Sequence, residues 1–529
     1  YTRAEGGPDN PSVEEALRSA ERGEWLEAIN AELRNMRNYD VVERVPRSVD
    51  DKPLKTKIVL NRKRGSNGEI LKYKARLVAL GCRQRPGVDY GDTFAPVCRE
   101  ESVRTLMHLA RTKGHILHQL DIDAAYLNAE LKERVLVEPP REFRDEMCGP
   151  GEILKLKRAL YGLKQAGHEW HRKLKETLKN LGWTPGKVDP CIFAREGKGE
   201  HEYLALYVDD ILIAAPTEER MKLIKQQLGC VFTLKDMGPT AKLLGMKIEE
   251  TSEAYYISQP RAVHKLLSDS PRQSCRSTPI GTADQNESET SATREEAQAY
   301  QSQIGTLLYL SRKSRPDIAY AVGALSRLTA APTHEAMRQL EWLVDYVRYT
   351  PDYRLEIRGG GMEIRGWSDA SFAEKGDRKS TSGYIIKIGH DTVVWGSKRQ
   401  SIVATSTLEA EYVALSECAR AIIWTKMIME HDLKEKVPTP IKLFCDNMGA
   451  IEVAKNPTHH FKSKHIDVKY HFVRELIETG QIHLKYVESA ANVADAMTKP
   501  LSKNKLHDHR AQMGLSKASG GVWNGMPLK

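Results

Sequence analysis

Two adjacent aspartates, Asp209 and Asp210, lie between two short apolar runs at residues 203–208 and 211–215. Two such runs separated by two residues predict a β-hairpin with a tight turn. That kind of turn favours Asn-Gly or Asp-Gly, so folding alone does not explain two like charges without a glycine. Two carboxylates on a rigid hairpin suit Mg²⁺, and the pair therefore predicts a divalent-cation site.

A third carboxylate, Asp121, comes near the end of an apolar run at residues 116–122 that reads as a strand. We expect Asp121 to face the hairpin aspartates across a sheet. Three carboxylates from two neighbouring strands can hold two metal ions for in-line nucleotidyl transfer. The alternative is a solvated turn beside an ordinary strand end.

A second set of acids lies in the C-terminal part, where strands and helices alternate. The predicted strands cover residues 365–370, 384–388, 392–395, 441–445 and 481–487. Apolar residues recur at helical spacing after Ser406, which predicts a long helix with Ser406 as its N-cap. A strand, this helix, a strand and the start of a last helix each carry one acid: Asp369, Glu411, Asp446 and Asp495. Glu409 is the alternative to Glu411 on the same helix.

This layout resembles the ribonuclease H fold, in which four acids hold two metal ions that activate water and stabilise the leaving 3′-oxygen. The resemblance implies that Asp369, Glu411, Asp446 and Asp495 are the ligands, because the string Ala-Glu-Tyr at 410–412 fits the family's acidic helix. Cellular ribonucleases H carry a histidine on a loop ahead of the last acid. Here that loop reads Glu-Ser-Ala-Ala at 488–491, so proton shuttling or product release must work differently.

The first set of acids resembles polymerase motifs A and C of reverse transcriptases, through DIDAAYLNAEL at 121–131 and YVDD at 207–210. Other strings are similar to the reverse transcriptase of copia-type LTR retrotransposons: KYKARLVALG at 72–81, FAPV at 94–97, LYGLKQA at 160–166, RPDI at 315–318, STSG at 380–383 and TKPL at 498–501. The similarity runs from about residue 38 to 505. Ala129 and His168 stand where the family often has glycine and proline, and neither change touches a metal ligand.

The resemblance implies an α/β (α+β) fold: a right-hand polymerase with fingers, palm and thumb, a mostly helical connection, and a ribonuclease H fold with a mixed five-stranded sheet. The expected divisions are an N-terminal flank at 1–37, fingers and palm at 38–254, thumb and connection at 255–360, ribonuclease H at 361–510 and a tail at 511–529. The tail beyond Met513 is rich in Gly, Ser and Lys and is predicted to be loose. Neither an aspartic protease D-[ST]-G nor an HHCC zinc module occurs, which predicts the polymerase and nuclease part of a longer polyprotein.

The implied activity is RNA- and DNA-templated DNA synthesis coupled to cleavage of the RNA strand in hybrids. The implied cofactor is Mg²⁺, with Mn²⁺ as the alternative. The implied partners are template RNA, a tRNA-derived primer, the RNA/DNA hybrid and deoxynucleoside triphosphates, without a membrane; monomer and homodimer both stay open. The implied location is a cytoplasmic virus-like particle, with the nucleus as a later site.

The same resemblance suggests roles for four residues around the polymerase acids. Lys74 and Arg76 are candidates for gripping the incoming triphosphate, although general phosphate-backbone contacts would explain them equally well. Gln165 resembles the residue that contacts the nucleotide or template. Tyr126 resembles a steric gate against the ribose 2′-hydroxyl, and its alternative is a core aromatic.

Composition supports a nucleic-acid partner. The net charge is +9, and residues 52–85 hold eleven Lys or Arg against one acid, Glu69. A one-sided cationic stretch suits a phosphate backbone, and the alternative is a solvated face. The eight cysteines occur singly, which predicts reduced thiols in a cytosolic or nuclear protein. No apolar run approaches the length of a membrane span.

Three other interpretations fit the sequence less well. The histidines at 459, 460, 465 and 471 have no cysteine pair and fit no tetrahedral zinc pattern, so hydrogen bonding or a nucleic-acid contact is the better prediction. A decayed element that only binds nucleic acid is the main alternative function, and the presence of all seven carboxylates argues against it. An RNA-templated RNA polymerase is disfavoured by the bulky Tyr126 and by the attached nuclease.

Overall fold

The structure, a computed structural model, describes residues 7, 9–65, 69–197, 199–270, 274–281, 290–373, 378–455 and 464–518, with the side chains of 464–468 and 470 left aside. Within these residues the strands form four sheets. No helix of the described chain has the length and apolar character needed to cross a membrane. The architecture is mixed α/β: a first region with two large sheets, a mainly helical segment and a last region with a five-stranded sheet follow one another in the chain.

The fingers and palm are built from elements that alternate between strand pairs and helices. In chain order these are α1 (Val13–Arg18), α2 (Arg22–Asn38), β1 (Val42–Pro46), β2 (Leu54–Arg64), β3 (Ile70–Ala79), α3 (Glu100–Lys113), β4 (Ile116–Ile122), β5 (Glu130–Glu138), α4 (Arg144–Met147), β6 (Glu152–Arg158), α5 (Ala166–Asn180), β7 (Thr184–Pro185), β8 (Ile192–Glu196), β9 (His201–Tyr207), β10 (Asp210–Ala215), α6 (Glu218–Gly229), β11 (Leu234–Pro239), β12 (Lys242–Leu243) and β13 (Met246–Glu250).

The fingers sheet has the strand order β1-β6-β5-β2-β3. Its longest pairing is the antiparallel β2–β3 hairpin, which contains most of the basic stretch. The predicted helix around Trp25 is α2, and its side chains Trp25, Ile29 and Leu33 are buried at the spacing of an amphipathic helix. Trp25 packs edge-on against Tyr73 of β3, so α2 covers one face of the hairpin.

The palm sheet has the order β11-β4-β10-β9-β8-β7 and carries the first set of acids. Most residues of the central strands β4, β9 and β10 are buried, and the buried residues of β10 are all apolar. Helices α3 and α6 pack against it. The predicted hairpin is β9–β10, and the predicted strand at 116–122 is β4 with the same bounds.

The segment after the palm is mainly helical, as predicted. It contains β14 (Tyr255–Ser258), α7 (Pro260–Ser268), α8 (Arg294–Lys313), α9 (Ala319–Ser326), α10 (His334–Tyr349) and β15 (Tyr353–Ile357). The helices enclose a second apolar cluster of their own. A small sheet, β12-β13-β14-β15-β21, ties this segment to the palm at one end and to the C-terminus at the other.

The last region contains β16 (Ile364–Ser371), β17 (Thr381–Ile388), β18 (Asp391–Arg399), α11 (Thr407–Met427), β19 (Ile441–Cys445), α12 (Met448–Lys455), α13 (Lys464–Glu478), β20 (Ile482–Tyr486), α14 (Lys503–Gln512) and β21 (Leu515–Lys517). Its sheet order is β18-β17-β16-β19-β20, antiparallel on one side of β16 and parallel on the other. This is the mixed five-stranded sheet expected for a ribonuclease H fold.

The prediction of a loose tail is wrong just after Met513. Residues Leu515–Lys517 form β21 and pair with β15, and Leu515 is buried. A short polar tail carries little sequence signal for this pairing, because the partner strand lies far away in the chain. The domain boundaries stay a prediction, since strands on both sides of 254/255 and 510/511 share one small sheet.

Buried polar contacts join the palm to the ribonuclease H fold. Arg104 of α3 donates to the carbonyl of Val393 at 2.8 Å and stacks over Trp395 with its guanidinium 4.0 Å from the ring centre. His108 contacts Asp391 at 2.7 Å, with both side chains buried. One continuous apolar core runs through both regions. The two regions therefore pack as one body.

Candidate functional site: two acidic centres

The palm acids meet because of strand register. Asp121 of β4 pairs directly with Asp210 of β10, and opposite residues of an antiparallel pair point to the same face of the sheet. Gln119 donates its side-chain amide to Asp210 Oδ1 at 2.7 Å, which orients that carboxylate. The strand register thus places Asp121 opposite Asp210 of the hairpin, as predicted.

The hairpin turn differs in detail from the prediction. Its two central residues are Val208 and Asp209, while Asp210 already belongs to β10. Val208 has φ of 60°, a region that β-branched residues rarely adopt and that a turn of this kind usually fills with glycine. The indole N–H of Trp170 donates to the Val208 carbonyl at 2.6 Å, and Ile122 N–H donates to the Asp209 carbonyl at 2.9 Å. These bonds hold a strained turn that carries Asp209.

The palm carboxylates are perturbed by burial and by one another. Burial, with help from Asp209, raises the pKa of Asp121 above its ordinary value. Burial, together with the charges of Asp209 and Asp121, raises the pKa of Asp210 to about 6, and the hydrogen bond from Gln119 opposes this rise. Because neighbouring negative charges repel one another, a cation bound among these three acids would be stabilised.

A cavity of about 430 Å³ lies between β3, the segment after Asp121 and helix α2. Its lining includes Lys74, Arg76, Asp123 and Tyr161. The Arg76 guanidinium stacks over Tyr161 at 5.1 Å, and Lys74 lies close enough to influence the pKa of Asp121. The two predicted phosphate-binding cations therefore line one cavity with Asp123, and Lys74 also acts on the charge of Asp121.

Sequence reasoning missed Glu32, which lies on the opposite wall of this cavity. Its Oε1 accepts the Leu77 N–H of β3 at 3.1 Å, and the charges of Lys74 and Arg76 oppose the rise that burial causes in its pKa. An acid on the buried face of α2, one turn beyond Ala28, was the available signal. Glu32 supplies an internal counter-charge for the basic strand.

Tyr126 lies in the 3₁₀ turn Ala125–Asn128 that follows β4. Its ring meets Tyr161 edge-on with 5.1 Å between ring centres, and it is only partly buried. Because Tyr161 lines the cavity, Tyr126 stands beside that space and is not enclosed in the core. Its role as a sugar gate stays a proposal.

Gln165 is placed differently from its predicted role. Its side chain is fully buried, its Oε1 accepts from Gln84 at 2.9 Å and its Nε2 donates to the Asp89 carbonyl at 2.9 Å. Both ends of the amide are therefore used inside the protein. These contacts support a role in holding the 84–89 loop and do not place Gln165 against a nucleotide.

The second acidic centre forms at the edge of the ribonuclease H sheet. Oxygens of Asp369, Asp446 and Asp495 lie within 4.8 Å of one another. Asp369 is on β16, and Asp446 follows β19, its parallel neighbour. Asp495 lies on a 3₁₀ turn, Val493–Met497, so the predicted helix start is corrected to a short turn that ends before Pro500.

The contacts of the two side chains favour Glu411 over Glu409 as a member of the acidic centre. Glu409 bonds to the N–H and hydroxyl of Thr405, while its own N–H donates to Ser406 Oγ at 3.2 Å, so it caps the helix. Glu411 is buried, lies within 4.8 Å of Asp446 and has an Oε2 without a hydrogen-bond partner. Burial, followed by the charges of Asp369 and Asp446, raises the pKa of Glu411.

Two lysines and a threonine that sequence reasoning missed contact the same acids. Lys499 Nζ lies 2.9 Å from Asp495 and 3.6 Å from Asp369. Lys505 bonds to Asp495 and to the Ser489 carbonyl, the latter at 2.8 Å. Thr498 donates its hydroxyl to Asp369. Thr498 and Lys499 belong to the TKPL string at 498–501, which was the sequence signal available for them.

The donor set of the second centre fits a hard divalent cation. Four carboxylates converge, and the buried Glu411 Oε2 has no protein donor to satisfy it. Oxygen ligands of this kind suit Mg²⁺ or Mn²⁺. Cys445 is also near, but burial raises the pKa of its thiol, which disfavours it as a ligand. The palm acids do not reach the same mutual spacing among the described residues.

The histidine prediction is only partly covered by the structure. His459 and His460 lie outside the described residues, and the side chain of His465 does as well. His471 lies on α13 and takes part in an interaction. Among the described residues it belongs to no group with metal-ligand spacing.

The fold and the two acidic centres define a right-hand polymerase joined to a ribonuclease H fold. The family model for reverse transcriptase (RNA-dependent DNA polymerase) matches residues 36–282. The chain is 32% identical over 518 residues to the Pol polyprotein of transposon TNT 1-94 of Nicotiana tabacum, covering 95% of this chain and 39% of that protein. It is 31% identical to the Pol polyprotein of transposon RE1 of Arabidopsis thaliana, covering 95% and 34%.

A transposon Ty5-1 protein of Saccharomyces cerevisiae is 30% identical, over 57% of this chain and 100% of that protein. A foamy viral protease–reverse transcriptase, solved with double-stranded DNA, superposes with a TM-score of 0.50 and 13% identity over 88% of this chain and 69% of that one, and it supports the fold alone. The chain belongs to the copia-type retrotransposon reverse transcriptases. It spans between a third and two fifths of the length of the plant polyproteins.

Proposed function

We propose that the chain copies retrotransposon RNA into double-stranded DNA and cleaves the RNA strand of the hybrid at a separate site. The observation that carries this proposal is the presence of two acidic centres on two different sheets, Asp121 with Asp210 on one and Asp369 with Asp446 on the other. Its substrates are template RNA, a tRNA-derived primer, the hybrid and deoxynucleoside triphosphates.

At the palm, the proposed ligands are Asp121, Asp209 and Asp210. Bound Mg²⁺ would supply activation of the primer 3′-hydroxyl and neutralisation of the triphosphate. The protein aligns the acids through the β4–β10 register, and Gln119 orients Asp210. Lys74 and Arg76 supply positive charge on the cavity side, where the triphosphate would lie.

At the ribonuclease H fold, the proposed ligands are Asp369, Glu411, Asp446 and Asp495. Two bound Mg²⁺ ions would supply activation of water and stabilisation of the leaving oxygen. Ser489 donates to Asp446 Oδ2 at 2.6 Å and Thr498 donates to Asp369, so two hydroxyls orient these carboxylates. We also propose that the protein acts in a virus-like particle in the cytoplasm and later in the nucleus.

Two matched variants test the proposal in the full chain. Asp209→Asn should abolish primer extension while hybrid cleavage persists, and Glu411→Gln should do the reverse on a short template. Each variant is the control for the other, because each keeps the opposite site intact. Loss of both activities in one folded variant would contradict two separate sites. Binding of the hybrid with neither activity in the wild type would favour the decayed element.

A further inference from the structure

Lys499 is held against the second acidic centre by a rigid piece of backbone. Its N–H donates to the Asp495 carbonyl at 3.2 Å, and the preceding Thr498 is fully buried. Gly383, which pairs with Asp369, makes room for this turn, because a Cβ there would lie 2.6 Å from side-chain atoms of Met497 and Thr498. The base of Lys499 is therefore fixed, and only its long side chain is free to move.

The ammonium of Lys499 lies between two of the proposed metal ligands. Its Nζ is 2.9 Å from Asp495 Oδ1 and 3.6 Å from Asp369 Oδ2. The side chains of these acids are 0% and 2% exposed, whereas that of Lys499 is 40% exposed. A divalent cation that bridged the same two carboxylates would repel an ammonium at this distance. The lysine and the metal ions thus compete for the same oxygens.

Lys505 differs from Lys499 in its freedom to leave. Its Nζ is tied both to Asp495 and to the Ser489 carbonyl, in the loop where cellular ribonucleases H carry their histidine. Lys499 has carboxylates as its partners here, and its side chain is 40% exposed against 29% for Lys505. Of the two lysines, Lys499 is the one that can move to a substrate.

We propose that Lys499 is a catalytic residue of the nuclease site, which neutralises Asp369 and Asp495 until metal ions bind and then turns outward to a phosphate of the hybrid. The proposal rests on the nuclease function proposed above. A lysine suits this exchange because its ammonium is a compact charge on a flexible stem of four carbons.

The first test measures metal binding. In the full chain with Asp209→Asn and Asp210→Asn, which disable the palm centre, Mn²⁺ is titrated and followed by electron paramagnetic resonance. Lys499→Met should tighten Mn²⁺ binding by about threefold or more, because a competing charge is removed. Lys503→Met is the matched control: it removes an exposed lysine four residues away and should leave the affinity unchanged. Unchanged or weaker binding in Lys499→Met would overturn the proposal.

The second test measures the phosphate contact with Ca²⁺ in place of Mg²⁺, so that the hybrid is bound under conditions that do not support cleavage. Each lost phosphate contact lowers the slope of log affinity against log salt by about 1. Lys499→Met should show this loss, Lys499→Arg should recover it in part, and Lys503→Met should not change the slope. A slope in Lys499→Met equal to that of the wild type would refute the contact.

These readouts separate the inference from the function on which it rests. If the wild type binds Mn²⁺ but never cleaves the hybrid, the proposed nuclease activity fails. The tighter Mn²⁺ binding of Lys499→Met would then still support competition at the acids. If the wild type cleaves and Lys499→Met binds Mn²⁺ as the wild type does, the inference on Lys499 fails alone.

Discussion

At the scale of single residues, Asp369 and Glu411 of the ribonuclease H fold destabilise the native state when they are charged. Asp369 and Glu411 are buried close to other carboxylates, and burial is the main cause that raises the pKa of each. When the pKa of an acid is higher in the native state than in the unfolded state, the protein loses stability as the pH rises from the unfolded-state pKa to the native-state pKa. Binding of metal ions or protonation of the acids removes this loss of stability.

Glu411→Gln should therefore stabilise the protein in a chelator near neutral pH by about 1 to 3 kcal/mol, because the buried carboxyl must take up a proton on folding and the amide need not. The gain should shrink when Mg²⁺ is added and when the pH falls toward the ordinary pKa of glutamate. Thermal unfolding followed by circular dichroism measures it. Glu409→Gln, on the same helix, should instead lower stability by about 0.5 to 1 kcal/mol through a weakened cap and retain cleavage. Equal shifts in both variants would contradict the assigned roles.

Tyr126 is a second residue whose neighbours suggest a function. Its ring stands against Tyr161 at the edge of the cavity, so it can fill the space beside the sugar C2′ of an incoming nucleotide. Overpacking of that kind costs about 1 to 3 kcal/mol, roughly a 5- to 150-fold preference for the deoxynucleotide. Tyr126→Ala should reduce the ratio of kcat/KM between a deoxynucleotide and its ribonucleotide. A ratio that does not move would make Tyr126 a packing residue.

At the scale of elements, the β9–β10 hairpin presents its acids through a strained turn. The left-handed backbone of Val208 costs free energy, and the buried Trp170 of α5 offsets part of it by its bond to the Val208 carbonyl. Helix α5 packs near the turn also through the Trp170 ring, which meets Phe232 edge-on. The helix thus sets the direction of Asp209.

Trp170→Phe should keep the ring packing and remove the donor. We expect kcat for primer extension to fall by about tenfold, equivalent to roughly 1.4 kcal/mol of barrier, while KM for the nucleotide changes little. Hybrid cleavage by the same preparation is the internal control and should be unaffected. A proportional loss of both activities would indicate that the variant only destabilises the fold.

At the scale of the whole molecule, the ribonuclease H fold is docked on the palm by backbone as well as side-chain contacts. Asp432, in the turn that ends α11, accepts the N–H groups of Lys187 and Asp189 at 2.7 and 2.8 Å, and its side chain is buried. Tyr203 of the palm donates to Glu435 at 2.8 Å. Contacts of this kind hold the two acidic centres at one separation.

Asp432→Ala should leave these N–H groups without an acceptor and cost about 1 to 3 kcal/mol. Hydrogen exchange at the amides of residues 187–189 should become faster, and the lengths of the cleaved RNA fragments should spread. Asp508→Ala is the matched control, because that aspartate is exposed on α14. Unchanged exchange in Asp432→Ala would show that docking does not depend on this carboxylate.

Local chemistry made much of the protein predictable from its sequence. The period of apolar residues predicted β4, β9, β10, the ribonuclease H strands and helix α11, because each of these elements buries one face or both. The position of each acid at a strand end or beside a helix cap predicted which carboxylates could meet. The family strings then identified the order of the domains.

Only the tertiary structure decided the features that depend on partners distant in the chain. The burial of Gln165 against Asp89, the approach of Lys499 to Asp369 and the pairing of β21 with β15 all join residues far apart in sequence. The positive φ of Val208 is offset in part by the hydrogen bond from Trp170, which lies 38 residues away in the chain. Propensity and spacing report what a segment prefers on its own, whereas these contacts exist because the rest of the fold brings their partners together.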